Sequence, residues 1–125
     1  MKPNLTIIEE TFAIYRFSPD HEIPVELLHN EFCSISRTDE ELSIVCRSQL
    51  GLDSLNIESG WSCIKVMGPL DFALTGILAD IAAVLAKAKV SIFAISTFDT
   101  DYVLVKTESL SLAKASMSQI GYHFV

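Results

Sequence analysis

Two stretches of this sequence carry groups able to hold a small zwitterion. Gly68-Pro69-Leu70-Asp71 leads into an apolar helical pattern with Asp71 placed as N-cap. A helix start presents backbone N–H groups without intrahelical partners, and these, with the helix dipole, attract a carboxylate. Phe98-Asp99-Thr100-Asp101 reads as an acidic turn between two strands, where a carboxylate can take an ammonium or guanidinium group. Together the two stretches complement both ends of a free amino acid. Catalytic constellations are missing by comparison: the sequence has no phosphate-binding Gly-rich loop, HExxH, GxSxG or Cys–His arrangement. His21, His29 and His123 are scattered without metal spacing or a nucleophile partner. The expectation is a protein that is not an enzyme and needs neither cofactor nor metal.

The elements that must position these groups are legible from their periods. Leu74, Ile77, Leu78, Ile81, Leu85 and Ala88 recur at helical spacing and form one stripe suited to lie on a sheet. The opposite face carries Thr75, Ala79, Ala82, Ala83 and Ala86, small enough to admit another helix, although alanine is also the best helix former. Trp61–Met67, Val90–Ser96 and Tyr102–Lys106 read as strands. Ser109 or Ser111 can start a second helix that Gly121 ends, with a short strand at Tyr122–Val125. The order β-α-β-β-α-β is the ferredoxin-like arrangement, an antiparallel sheet with helices on one face.

In the first half, a shift of sixty residues aligns Phe12-Ala13 with Phe72-Ala73, Ile35-Ser36 with Ile95-Ser96, Asp39 with Asp99, Glu41 with Asp101 and Ile44-Val45 with Leu104-Val105. Such a period suggests a duplicated unit, with convergence on a generic hairpin as the alternative. Strands at Leu5–Glu10, Phe12–Phe17, Phe32–Arg37 and Leu42–Arg47 follow, and Pro24–His29 holds only a short helix. Ser48–Gly60 is too apolar for a free linker, so a helical turn is expected there, with the boundary near Gly60. The expected fold is therefore α+β, two ferredoxin-like units, a degenerate one over residues 1–59 and a fuller one over residues 60–125. A first unit that short has little core of its own, so the halves should fold together.

Composition restricts the partners. The net charge of −7 opposes binding to nucleic acid or anionic lipid. No run approaches a membrane span, and the N-terminus lacks the pattern of a secretory signal. Cys33, Cys46 and Cys63 lie in strand-like runs without CxxC spacing, which points to buried thiols in a reducing cytoplasm.

Several segments resemble the bacterial tandem ACT-domain proteins. They are Phe32-Cys33-Ser34-Ile35-Ser36-Arg37-Thr38, Glu41-Leu42-Ser43-Ile44-Val45, Gly60-Trp61, Gly76-Ile77-Leu78-Ala79 and the run Ile95 to Val105 containing Ser96-Thr97-Phe98-Asp99-Thr100-Asp101. The same segments are similar to one half of the CASTOR arginine sensors and, more distantly, to the regulatory part of aspartate kinases. The resemblance implies an amino-acid-binding regulatory domain with its ligand between a helix start of one ACT unit and a strand turn of another. The matching positions are Asp71, Gly76, Ile77 and Leu78 on one side of the ligand and Thr97, Phe98, Asp99, Thr100 and Asp101 on the other. In the sensors, the acid at the position of Asp101 grips a guanidinium group.

Leu74 departs from that pattern, since the arginine sensor has a second acid there. One lost charge-assisted hydrogen bond costs about 1.5–3 kcal/mol, so a smaller or more apolar amino acid, or no ligand, fits equally well. Two readings stand: a small-ligand sensor with its site at a homodimer interface, and a ligand-free interaction module that regulates a partner enzyme.

Overall fold

The computed structural model describes residues 2–68 and 76–125. Its elements are β1 (Leu5–Phe17), β2 (Cys33–Arg37), β3 (Leu42–Arg47), β4 (Asn56–Val66), α1 (Ile77–Lys87), β5 (Ile92–Ser96), β6 (Asp101–Lys106) and α2 (Leu110–Gln119). This is an α+β fold with antiparallel strand pairing. Residues 1–9 with 62–125 form one compact unit and residues 10–61 another, so β1 and β4 each contribute to both.

In the larger unit the strands neighbour one another in the order β1-β4-β6-β5. Its core gathers Leu5, Ile64, Val66, Val103 and Val105 from the strands, Ile81 and Leu85 from α1, and Ala113 and Met117 from α2. Ile77, Leu78 and Ala88 pack against that core as the helical stripe predicts, while Ala79, Ala83 and Ala86 are exposed. The predicted N-cap Asp71, with Leu74 and Thr75, lies outside the described residues. The helix is instead capped at Gly76, whose φ of 88° is left-handed and which accepts a bond from Asp80 N–H at 2.8 Å. The expected final strand is reduced to a parallel bridge between Leu5 and Phe124, flanked by Leu5 N–H to His123 O at 2.7 Å and Val125 N–H to Leu5 O at 2.8 Å.

Both helices end in the same hydrogen-bonded motif, but with different residues at its left-handed position. After α2, Gly121 (φ 101°) donates to Ser118 O and Tyr122 to Met117 O, each at 3.1 Å. After α1 the left-handed residue is Lys89 (φ 61°), which donates to Ala86 O at 3.0 Å while Val90 donates to Leu85 O at 2.9 Å. A lysine side chain crowds its backbone there and glycine does not. Lys89→Gly should therefore stabilise the protein by about 1 kcal/mol, read as a higher urea midpoint.

Lys2, Asp80 and Tyr122 form a surface cluster of the same unit. The Asp80 carboxylate accepts from Lys2 Nζ and Tyr122 Oη, both at 3.0 Å, and the lysine lies 4.7 Å from the tyrosine ring centroid. The bond from Lys2, then that from Tyr122, holds the Asp80 carboxyl below its ordinary value of 3.8. Burial, then the bond to Asp80, pushes the Tyr122 hydroxyl up to about 12. A depressed carboxyl contributes stability above its unfolded value and loses it as pH falls through the lower folded value. Asp80→Asn should thus flatten stability against pH below about 3.8, with a cost at neutral pH of no more than about 1 kcal/mol for so exposed a group. Thermal melts from pH 2 to 7 test this.

In the smaller unit the order is β2-β3-β1. Ala13, Tyr15 and Phe17 of β1 and Leu42, Ile44 and Cys46 of β3 build its core with Leu27. The expected short helix is a 3-10 turn at Val25–His29, and the expected helical turn after β3 is Ser48–Leu50. Two expected strands near the N-terminus are the single strand β1, interrupted locally by Glu10 with φ of 80°. Arg47 holds that residue at 3.0 Å and Glu31 at 2.9 Å.

The internal period is 59 residues, not sixty. Adding 59 to the bounds of β2, β3 and the turn Ser48–Leu50 returns β5, β6 and the turn Thr107–Ser109. The hairpin turns also share their bonding. Thr38 N–H donates to Glu41 O at 2.9 Å and Thr97 N–H to Thr100 O at 2.8 Å, and each threonine hydroxyl accepts from the N–H three residues on. Thr38 therefore corresponds to Thr97 and Glu41 to Thr100. The pairs Asp39 with Asp99 and Glu41 with Asp101, suggested by residue type, do not correspond in the hairpins.

Candidate functional site

The turn between β5 and β6 is built by threonines. Thr97 Oγ1 donates to Thr100 O at 3.0 Å and accepts from Thr100 N–H at 3.3 Å, closing the turn on itself. Thr100, only 5% exposed, sends its hydroxyl to the carbonyl of Val66 at the end of β4, 2.5 Å away. The turn is thereby fixed to the strand that leads toward α1. Thr100→Val keeps the shape but leaves that carbonyl without this donor, and should cost about 1–3 kcal/mol in urea unfolding, with Thr100→Ser closer to the parent.

That anchoring decides where the turn's other side chains go. Phe98 is 79% exposed at the tip and Asp99 is exposed beside it. Asp101 is half-buried as the first residue of β6, opposite Ser96, whose hydroxyl donates to its Oδ1 at 2.6 Å. One carboxylate oxygen of Asp101 thus has a neutral donor, and an ionised carboxylate can accept several more bonds. Tyr102, the next residue of β6, has the Lys65 nitrogen 6.0 Å from its ring centroid.

At the start of α1, no described residue comes within 4 Å of the position a Cβ on Gly76 would take. Among the described residues no side chain caps the helix, and its first N–H groups lack intrahelical acceptors by geometry. The side chains of Ile77 and Leu78 pack into the core, so these residues can offer a ligand their backbone alone. Of the ten residues expected at the site, eight lie among the described residues, in two groups: Gly76-Ile77-Leu78 at the start of α1, and Thr97 to Asp101 at the hairpin. Asp71 and Leu74 lie outside them.

Sequence reasoning missed the acceptor role of Val66 and the support Ser96 gives Asp101, because both depend on strand neighbours rather than on residue type. It also missed a concavity of about 370 Å³ in the smaller unit, where Phe17, His21, Leu50 and Leu52 meet the acids Glu26 and Asp53. Among the described residues no group of three or more His, Cys, Asp and Glu is placed to hold a metal ion. No helix among them is long and apolar enough to cross a membrane.

The antiparallel strand pairs and the two helices packed on the core of the larger unit make an ACT-type fold. Residues 56–117 match the family model of the ACT domain, and residues 10–50 match a second model described as an N-terminal domain. The chain is similar over its whole length to protein Atu0741 from Agobacterium tumefaciens, with 34% identity, 93% of that chain covered and a TM-score of 0.91. It belongs to the same family as that protein and carries an ACT domain. A Vibrio cholerae protein of unknown function, VC0802, described as a possible transport protein, shares the fold at 19% identity, with a TM-score of 0.70 over 92% of this chain and 88% of that one. So does Clostridium acetobutylicum aspartate kinase, described as an allosteric enzyme, at 16% identity and a TM-score of 0.65, over 87% of this chain and 32% of the kinase. No curated protein matches the chain. ACT domains are typically regulatory and bind amino acids.

Proposed function

We propose that this protein is a cytoplasmic, non-catalytic sensor whose ligand, a free amino acid or similar small metabolite, sits at an interface between ACT units of a homodimer. Backbone N–H groups at Gly76-Ile77-Leu78 receive the carboxylate, and Asp71 and Leu74, the expected site residues outside the described ones, complete that side of the ligand. Asp101 receives the ammonium group, while Thr97, Phe98, Asp99 and Thr100 close over the remainder. The observation that carries this reading is the turn itself: Thr97 and Thr100 hold it rigidly, yet it displays a phenylalanine that is 79% exposed beside two carboxylates. A rigid exposed aromatic at an acidic site is costly to leave in water and suited to cover a ligand.

The same proposal takes the chain as two ferredoxin-like units, a degenerate one over residues 1–59 and an ACT domain from residue 60. The 59-residue repeat of the hairpins and their turns supports duplication. Within residues 10–61 the helical segments are only 3-10 turns, consistent with a degenerate copy. Residues 1–9 group with the second unit. In the homodimer, two such chains rebuild the four-unit arrangement of the CASTOR sensors. The exposed alanine face of α1 and the edge strand β5 are the surfaces available for it.

A thermal-shift panel of the free amino acids at millimolar concentration, with light scattering for mass, tests this. A hit on a dimer supports the sensor. A well-folded dimer that responds to no amino acid supports the competing reading, a ligand-free module that regulates a partner enzyme through this surface.

A further inference from the structure

Cys33 and Cys46 are thirteen positions apart in sequence and directly opposite one another across the β2–β3 pair. The turn fixes which kind of pair they form. Thr38 donates to Glu41 O, making Thr38–Glu41 a hydrogen-bonded pair. Antiparallel ladders alternate, so Arg37–Leu42 is non-hydrogen-bonded, Ser36–Ser43 bonded, Ile35–Ile44 non-bonded, Ser34–Val45 bonded and Cys33–Cys46 non-bonded. At a non-bonded pair the Cα atoms lie about 4.5 Å apart and the side chains are at their closest, just inside the range of roughly 4.4–6.8 Å that a disulfide spans. Both cysteines are free thiols, Cys46 buried and Cys33 half-buried.

We propose that Cys33 and Cys46 form a dithiol modification site that takes small disulfides as its oxidant and closes into a cross-strand disulfide. Cys33 is the accessible sulfur. Its thiolate attacks a small disulfide R–S–S–R, forming a mixed disulfide on Cys33 and releasing one R–S⁻. Cys46, on losing its proton, attacks the Cys33 sulfur, the Cys33–Cys46 bond forms, and the second R–S⁻ leaves. The protein gives up two electrons and two protons, and the small disulfide becomes two thiols.

Burial, and secondarily the neighbouring Cys33, push the Cys46 thiol up to about 11. The second step is therefore the slow one and accelerates with rising pH. The bond would staple β2 to β3 and close residues 33–46 into a ring. A pair at the short end of the permitted spacing makes a strained, readily reduced disulfide, which is the property of a regulatory bond rather than a structural one. Cys63 stands outside this pair: it lies on β4, is buried, and burial pushes its thiol up to about 12.

The test is to incubate the protein with oxidised glutathione at pH 8, quench with acid, and measure intact mass and thiols titratable in denaturant. The proposal expects a monomeric product about 2 Da lighter and one titratable thiol instead of three, both reversed by dithiothreitol. Cys63→Ser should form the same bond, its titratable thiols falling from two to none, and Cys33→Ser, at the half-buried position, should stop at unreacted protein or intermolecular species. Three thiols persisting at long times, a glutathione adduct on Cys33 that does not resolve, or an internal disulfide in the Cys33→Ser variant would overturn it.

Discussion

At one hundred times its dissociation constant, the amino acid bound at the proposed site is expected to stabilise the protein by about 2.7 kcal/mol, and Asp101→Asn to remove most of that gain. The substitution keeps the shape of the side chain and a hydrogen-bonding oxygen for Ser96 but withdraws the charge. A charge-assisted bond to an ammonium group is worth about 1.5–3 kcal/mol, so affinity should fall roughly tenfold to a hundredfold. Stability without ligand should change by less than about 1 kcal/mol, because Asp101 is half-buried and its protein partner is the neutral hydroxyl of Ser96. Calorimetric titration of both proteins separates the two effects. An equal loss of unliganded stability would assign Asp101 a structural role in the turn instead.

Leu85→Ala should produce the largest loss of folding stability among the changes considered, about 2–5 kcal/mol. Leu85 is fully buried between α1 and the sheet, and its carbonyl receives the Val90 N–H that ends the helix. Truncation removes transfer energy and leaves a cavity beside Ile81, in a core that also contains Val103 and Met117. Leu112, on α2 but 51% exposed, is the control, and its replacement by alanine should stay within about 0.5 kcal/mol. Urea unfolding of the three proteins measures both.

These two changes also mark what the sequence revealed and what it hid. The stripe from Ile77 to Ala88 was legible because a helix burying one face must repeat its apolar residues every three or four positions, and the stripe packs on the core. The ends were less so. Gly121 signals its own left-handed turn, whereas Lys89 adopts the same conformation after α1 with no residue type to announce it. The period was misread by one residue because identical acids invite alignment of Asp39 with Asp99. The hairpins are matched instead by threonines that cap each turn, Thr38 and Thr97. A threonine three residues before its turn's closing amide was the available signal.

At the candidate site, residue types marked Asp99 and Asp101 correctly as members of one hairpin. The features that hold the hairpin were hidden, because Thr100 bonds to Val66 across strands whose neighbourhood residue types do not fix. The same limit applies to Cys33 and Cys46, unremarkable until the strand register sets them opposite one another.

The central claim is that backbone amides at the start of α1 and the carboxylate of Asp101 hold one amino acid. An amide-resolved NMR titration with the strongest hit of the thermal panel tests it most directly. The account predicts that the signals of Gly76, Ile77 and Leu78 and those of Thr97 to Asp101 shift together with a single dissociation constant, and that Asp101→Asn weakens both sets alike. Shifts confined to other residues, for instance those around Phe17 and Leu52, or two groups of signals responding with different constants, would contradict it.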